Sequence, residues 1–132
     1  MKNILYIAAL FLFVTFSSCK DEETEPAKLE RMALETNKML PKRMDEITML
    51  DSVVAKAMQF SYHYTLPEHD KDSLDFDVND VKKALIKKTQ SGIDTIKSFQ
   101  AFKHQVSFKY IYNDKNGAYL FDYTVRTKQK YK

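Results

Sequence analysis

Near its C-terminus the chain places an apolar or aromatic side chain at every second position, and this alternation restricts its fold more than any other feature. The alternating residues are Val106, Phe108, Tyr110, Tyr112, Tyr119, Phe121, Tyr123 and Val125. A period of two is typical of strands with one buried face. Asn113–Gly117 separates the two runs, and Gly117 can adopt the positive φ that tight turns need. We therefore predict a β-hairpin with an aromatic face.

A second alternating run precedes it. Phe60, Tyr62, Tyr64 and Leu66 also lie two positions apart, which predicts another strand. Residues 47–57 are ambiguous, because their apolar side chains fit a helical period while their β-branched residues favour a strand. We favour a strand that pairs with the next one through a turn at Ala55–Ala57, and the helical alternative stays open.

Two segments have the apolar spacing of helices. The first, Ala27–Met39, follows Pro26, which suits the first turn of a helix, and Pro41 stops it. The second, Val78–Gln90, follows Asp77 as its N-cap. Gly92 is expected to end this helix in the left-handed conformation.

A short third helix is expected over Thr95–Lys103. Asp94 would be its N-cap, and Ile96, Phe99 and Phe102 would face inward.

These elements predict an α+β fold in the order α-β-β-α-β-β. We expect an antiparallel sheet of about four strands, arranged as two β-hairpins, with two or three helices packed on one face. Residues 27–132 would form this single domain, since the length suits one domain.

The N-terminus has a different character. Lys2 precedes an apolar run of 13 residues, Ile4–Phe16, which is too short to span a bilayer and matches the core of a secretory signal peptide. Phe16-Ser17-Ser18-Cys19 resembles the lipobox of bacterial lipoproteins. The resemblance implies cleavage between Ser18 and Cys19, diacylglycerol on the thiol and an acyl chain such as palmitate on the new N-terminus. The alternative for Cys19, the only cysteine, is a thiol buried in the core.

We thus assign residues 1–18 to a signal peptide and residues 19–26 to the lipidated cysteine and an acidic tether. The tether, KDEETEP over 20–26, resembles the surface-export signal of Bacteroidota lipoproteins. The expected location is the outer membrane. Whether the domain faces the surface or the periplasm stays open.

Charge is divided along the chain. Residues 27–81 carry seven basic and eleven acidic side chains, whereas residues 82–132 carry twelve basic and three acidic ones. The basic half suggests an anionic lipid or glycan, or an envelope protein, as partner in addition to the membrane. A solvated lysine-rich surface is the alternative, and nucleic acid is not expected as a partner of an exported lipoprotein.

Patterns of catalytic and cofactor-binding sites are not found in the sequence. With glycine only at 92 and 117, nucleophile elbows, phosphate loops and dinucleotide fingerprints are excluded. His63, His69 and His104 have no metal-binding spacing, and the acidic loop near His69 fails the EF-hand pattern. We therefore expect no cofactor and no metal. Activity as a hydrolase would need two carboxylates from among Asp45, Glu46 and Asp51 across a cleft.

Other candidate sites are on the predicted surface. If helices cover only the aromatic face of the sheet, then His63, Lys109, Asp122 and Arg126 on the polar face are free to bind a ligand. Asp72-Ser73-Leu74 resembles the O-glycosylation sequon of Bacteroidota, which makes Ser73 a possible acceptor.

The domain also resembles a family of small, uncharacterised exported bacterial proteins. The matching residues are Leu40, Pro41, Asp45, Thr48, Leu50, Asp51, Tyr62, Tyr64, Thr65 and Leu66, followed by the run Tyr110–Gly117. The resemblance implies two hairpins and brings no activity. It departs at Ala55-Lys56-Ala57, where relatives have a Gly-Pro turn.

We therefore predict a lipid-anchored protein of the cell envelope that binds a partner without catalysis. An inhibitor or immunity-type lipoprotein that blocks an enzyme or toxin is the alternative, and a small hydrolase is a third, less favoured one.

Overall fold

The computed structural model describes residues 22–128, so the predicted signal peptide and Cys19 lie outside the described residues. The fold is α+β, with three α-helices and a five-stranded mixed sheet in this part of the chain. The elements are α1 (Glu25–Asn37), β1 (Lys42–Arg43), β2 (Met49–Lys56), β3 (Gln59–Thr65), α2 (Val78–Ile93), α3 (Lys97–Gln100), β4 (Ser107–Asn113) and β5 (Tyr119–Arg126), with a 3₁₀ turn at Lys71–Ser73. The strands lie in the sheet in chain order.

The prediction of an antiparallel sheet is wrong at its centre, because β3 and β4 are parallel. Their register runs from Gln59 beside Ser107 to Thr65 beside Asn113. The helical connection between them returns the chain to the end of the sheet where β3 began, so β4 must run in the same direction. The strand number is also higher than predicted, because Lys42–Arg43 adds a short edge strand beside β2.

Helix α1 begins two residues earlier than predicted and ends at Asn37. The hydroxyl of Thr24 accepts a hydrogen bond from the N–H of Ala27, as an N-cap should. Leu29 and Ala33 on its inner face are buried against β2.

The first hairpin settles the ambiguity of residues 47–57 in favour of the strand. β2 and β3 are antiparallel. Ala57 in the turn between them has a φ of 53°, a left-handed conformation that glycine would more commonly adopt. β2 bulges between Leu50 and Ser52.

Asn37 closes the exposed edge of β2 where β1 no longer pairs with it. Its amide nitrogen donates to the carbonyl of Val53 (2.7 Å), and its amide oxygen accepts from the N–H of Val53 (2.8 Å). The side chain thereby makes both hydrogen bonds of a missing strand, which satisfies the backbone of a residue that is 1% exposed.

Helix α2 is longer than predicted. Asp77 caps it through the N–H of Asp80 as expected, but the helix continues to Ile93. Gly92 therefore lies inside the helix, and its predicted left-handed conformation is wrong. Burial of Ile93 in the core explains the extra turn, since packing outweighs the low helix propensity of glycine.

The third helix is shorter than predicted, and Asp94 does not cap it. Asp94 is the C-cap residue of α2, and α3 has no side-chain cap. Phe99 and Phe102 are buried as expected, whereas Ile96 is 39% exposed.

The second hairpin has the predicted turn, in which Gly117 has a φ of 81°. Asp114 organises this turn, because its carboxylate accepts hydrogen bonds from the N–H groups of Lys71, Asn116 and Ala118. These hydrogen bonds, that of Lys71 foremost, hold the pKa of Asp114 below its usual value.

Tyr119 was predicted on the aromatic face and is instead 51% exposed on the other. A bulge after Tyr112 shifts the register, so that Tyr119 pairs with Asn113 and its hydroxyl donates to Asp122.

All three helices belong to one core on one face of the sheet, as predicted. Helix α1 packs on β2 and α2 packs on β5, while no helix of residues 22–128 covers the opposite face. In the same range, no helix is long and apolar enough to cross a membrane.

We expect Asn37→Ala to lower the free energy of unfolding by about 2–4 kcal/mol, since it leaves two buried backbone groups of Val53 without partners. Denaturant unfolding followed by circular dichroism measures this. Asn79→Ala, at an exposed helical position, is the control and should change stability by less than about 0.5 kcal/mol. Equal losses in both variants would contradict the role of Asn37.

Candidate functional site

Two rows of stacked aromatic rings cross the sheet between α1 and α2. In one row Tyr110 stacks on Tyr62 and Tyr123, with ring centroids 5.0 and 4.8 Å apart. In the other row Tyr112 stacks on Tyr64 and Phe121, at 4.9 and 4.7 Å. Neighbouring rings are within 13° of parallel. We call these six side chains the aromatic rows.

The rows stay partly open because the two helices stand at opposite sides of the sheet. β2 and β5 are three strand spacings apart, about 14–15 Å. Closely packed helices approach to about 8–10 Å, so helices placed over β2 and β5 leave a gap above β3 and β4. Tyr62, Tyr64 and Tyr110 line this gap and are only half-buried.

The hydroxyl groups of these three tyrosines are available to a ligand. At the side of the groove, the Tyr123 hydroxyl is 3.1 Å from that of Thr89 on α2. By contrast, the hydroxyls of Tyr62, Tyr64 and Tyr110 have no hydrogen-bond partner within residues 22–128, and none of them is sealed from solvent. They therefore offer polar contacts above an otherwise apolar floor.

Burial also decides the charge state of these rings. Desolvation raises the pKa of Tyr62 to about 12, and it raises the pKa values of Tyr64 and Tyr110 still further. All three phenols are therefore neutral in the physiological range. They can donate and accept hydrogen bonds but cannot act as bases there.

At one end the groove deepens into an apolar pocket of about 350 Å³, within the size range of ligand pockets. Its floor is Tyr64, Tyr112 and Phe121. One wall comes from α2 and the residues before it, and the other from the β1–β2 loop. These walls contain Phe76, Val81, Leu85, Met44 and Ile47.

The mouth of this pocket combines exposed apolar and acidic side chains. Met44 and Ile47 are 51% and 49% exposed. Asp45 lies between them in the chain and raises the pKa of Tyr64 through its negative charge. Further exposed carboxylates flank the other wall at Asp75, Asp77 and Asp80.

The loop that supplies Phe76 is held against the second hairpin. The ring of His69 contacts Phe76 at a centroid distance of 5.5 Å, and the carbonyl of His69 accepts from the N–H of Lys115. This packing makes the pocket wall part of the core rather than a free loop.

The four residues predicted to bind a ligand lie on the helix-free face of the sheet, on three different strands. In the strand register Ile111 separates His63 from Asp122, and Lys109 lies between Ser61 and Thr124. Asp122 accepts a hydrogen bond from the hydroxyl of Tyr119. Arg126, at the end of β5, pairs with Ser107. No hydrogen bond joins the four to one another in the described structure.

The remaining candidates are dispersed. Asp51 accepts from the Thr65 hydroxyl, and Asp45 accepts from the N–H of Ile47. Ser73 is exposed at the end of the 3₁₀ turn, whereas Ser18 and Cys19 lie outside the described residues. Within residues 22–128, no group of three or more His, Cys, Asp or Glu side chains is placed to hold a metal ion.

Sequence reasoning missed the groove, because it expected helices to cover the aromatic face of the sheet. The signal was present in the two Tyr-x-Tyr runs, Tyr62–Tyr64 and Tyr110–Tyr112. It could be interpreted only once the parallel pairing placed one run beside the other.

Comparison with known proteins gives a family and a fold. A family model described as "Domain of unknown function" (DUF8479) matches residues 24–121. No curated protein matches the sequence.

Two solved structures share the fold. One is a Pseudomonas aeruginosa protein provisionally described as secreted, with a TM-score of 0.56 and 13% identity over 76% of this chain and 87% of that one. The other is EpsS, the pilotin of the Vibrio vulnificus type 2 secretion system, with a TM-score of 0.55 and 8% identity over 76% and 86%.

The raised tyrosine pKa values predict how stability depends on alkaline pH. The folded state favours the neutral phenol, so stability is unaffected below pH 10 and falls as the pH rises from 10 towards 12. Tyr62→Phe should remove part of this loss. Between pH 7 and pH 12, its free energy of unfolding should therefore rise relative to that of the parent by about 1–2 kcal/mol.

Denaturant unfolding at both pH values measures this difference. Tyr119→Phe removes an exposed phenol and should have a smaller effect. If both substitutions change the alkaline loss of stability equally, burial of Tyr62 is not the cause of that loss.

Proposed function

Starting from the fact that the chain belongs to the DUF8479 family, whose function is unknown, we propose that it is a lipid-anchored, non-catalytic binding module of the bacterial envelope. Its groove between α1 and α2 would bind an amphipathic segment of an envelope protein that carries basic residues. The anchor would be Cys19, in the outer membrane.

The half-buried tyrosines are the single observation that carries this proposal. Aromatic rings offer a large apolar contact area at a low cost in conformational entropy, and their hydroxyls supply orienting hydrogen bonds. Three such rings, half-buried and with hydroxyls that have no partner within residues 22–128, lie at or beside an apolar pocket. This combination favours a peptide segment, which has both apolar side chains and polar backbone groups.

The pocket mouth favours a partner with positive charge. Asp45 is exposed between Met44 and Ile47, and Asp75, Asp77 and Asp80 are exposed beside the opposite wall. Basic residues flanking the apolar face of a partner would meet these carboxylates, and complementary charge improves the rate and specificity of association. Met44 suits such a mouth because methionine adapts to different shapes.

The fold agrees with an accessory role. EpsS is a type 2 secretion pilotin, and the resemblance between the folds supports, at the level of architecture, a module that acts on another envelope protein. The proposed anchor rests on the sequence 16–19, in which two small residues precede Cys19.

Anchoring is tested by the mass and location of the mature chain. We expect a product that begins at Cys19 with added acyl mass, and we expect Cys19→Ala to leave the membrane fraction. Ser73→Ala is a control for location, since it changes an exposed serine of the domain, and its intact mass also reports any glycan on Ser73. An unprocessed chain beginning at Met1 would refute the anchor.

Groove binding is tested on residues 19–132 with Cys19→Ser, which contain all the described residues. The probe is a labelled helical peptide of leucine and lysine, and the charge control is the same peptide with glutamate for lysine. We expect the lysine peptide to bind at least about tenfold more tightly by fluorescence anisotropy.

Ile47→Arg should weaken this binding by about tenfold or more, since it puts a like charge at the pocket mouth. Val54→Arg is the matched control, because Val54 is equally exposed (51%) but lies outside the groove. Equal affinity for both variants would refute the groove as the binding site.

A photocrosslinking residue at position 47, compared with position 54, then identifies the native partner in whole envelopes. Recovery of one enzyme or toxin in a tight stoichiometric complex would instead support the inhibitor or immunity role.

A further inference from the structure

The domain has two ends that differ in charge. The first end contains the start of α1, the β2–β3 turn and the start of β4, together with the ends of α2 and β5. We call it the anchor pole, because the chain from Cys19 enters the domain there at Thr24. The opposite end holds the pocket mouth, and we call it the groove pole.

The anchor pole carries five exposed cations that have no ion-pair partner within residues 22–128. They come from the β2–β3 turn, α2, α3, the loop after α3 and the end of β5. They are Lys56, Lys88, Lys97, Lys103 and Arg126.

Glu22 is exposed and makes no ion pair or hydrogen bond within residues 22–128, whereas the other acidic groups of this pole are engaged. Glu23 pairs with Arg31 at 2.9 Å, and Asp94 is 3.6 Å from Lys128. Glu25 accepts hydrogen bonds from the backbone of Lys103 and from His104. The free charge of the anchor pole is therefore positive.

The groove pole is negative. Nine carboxylates occur in its three loops and the first turn of α2, and only four basic residues accompany them. The acidic residues are Asp45, Glu46, Glu68, Asp70, Asp72, Asp75, Asp77, Asp80 and Asp114, and the basic ones are Lys42, Arg43, Lys71 and Lys115.

The connection to the proposed anchor brings the positive pole to the bilayer. Five residues separate Cys19 from Glu25, so the connection has six Cα-to-Cα steps and spans at most about 20 Å. The groove pole is a further 20 Å away along α1, a helix of 13 residues. Attraction between charges is screened over about 8 Å at physiological salt, so only the anchor pole can respond strongly to the surface.

We infer that the anchor pole is a docking surface for the anionic phospholipid headgroups of the bilayer that carries the lipid anchor. Docking would hold the domain upright, with the pocket mouth facing away from the membrane and towards its partner. This inference rests on the proposed anchoring, and it adds an orientation that anchoring alone does not impose.

The test compares two serines at opposite poles. Ser98 on α3 and Ser73 in the 3₁₀ turn are both exposed, and each is replaced singly by cysteine and labelled with a fluorophore in the lipidated chain. Energy transfer to a lipid-bound acceptor is measured in nanodiscs of phosphatidylcholine with and without phosphatidylglycerol. With the anionic lipid we expect transfer from position 98 to exceed that from position 73 on the order of threefold.

This ratio should fall in neutral nanodiscs and at about 1 M salt, where screening is nearly complete, to the smaller value that the short tether alone gives. The combined variant Lys56→Glu, Lys97→Glu and Lys103→Glu should lower the ratio to the same value. The matched control Lys42→Glu, Lys71→Glu and Lys83→Glu changes the net charge equally, away from the anchor pole, and should preserve the ratio.

A ratio that is equal with and without the anionic lipid would overturn the inference, as would a loss in the control but not in the anchor-pole variant. Intact mass of the same samples reports the lipid on Cys19, so a failed orientation is distinguished from a failed anchor. If that lipid is absent, position 98 or 73 carries an azide-bearing residue for the fluorophore in place of cysteine, so that Cys19 is the only thiol and can be coupled to a maleimide lipid, and the same ratio is measured.

Discussion

The parallel pairing of β3 with β4 is the interaction on which the rest of the structure depends. Both strands carry a Tyr-x-Tyr run, and their register places Tyr62 beside Tyr110 and Tyr64 beside Tyr112. The rings then stack along the hydrogen-bonding direction, where the strand spacing of about 4.8 Å matches the separation that offset-stacked rings prefer. A register slipped by one residue would turn both tyrosines of a strand to the opposite face.

The pairing produces a groove because each helix is held at its own side of the sheet. Asn37 joins the end of α1 to the edge of β2 through two hydrogen bonds. On the other side, Thr89 meets Tyr123 and Gln90 donates to the carbonyl of Arg126, which holds α2 over β5. Between them the floor consists of tyrosines, whose hydroxyls can remain hydrated while their rings pack.

The same topology converts a charge pattern along the chain into a charge pattern in space. The acidic loop between β3 and α2 lies at one end of the sheet, because β3 and α2 run in opposite directions. The basic residues near α3 and the last strand lie mainly at the other end. Pocket and tether thus occupy opposite ends of one rigid core, and this separation would let a short tether and an open binding site coexist.

Local signals in the sequence were sufficient for most elements of the fold. Alternating aromatic residues defined β3, β4 and β5, and the Asp77 cap defined the start of α2. Gly117 marked the turn between β4 and β5. Each of these signals depends only on residues that are near in the sequence. The same kind of reasoning failed at Gly92 and Tyr119, where core packing and a β-bulge outweighed local preference.

Tertiary structure alone decided the direction of the central strands, the additional strand β1 and the groove. Strand direction depends on where a connecting helix returns the chain, and a periodicity of two is the same for parallel and antiparallel neighbours. Alternation placed the residues of the predicted polar site on one face, whereas their distances from one another depend on which strands pair and in what register. Apart from positions such as Tyr119, the sequence by itself thus determined which side chains face the core, while the pairing of distant strands decided which of them remain open to a ligand.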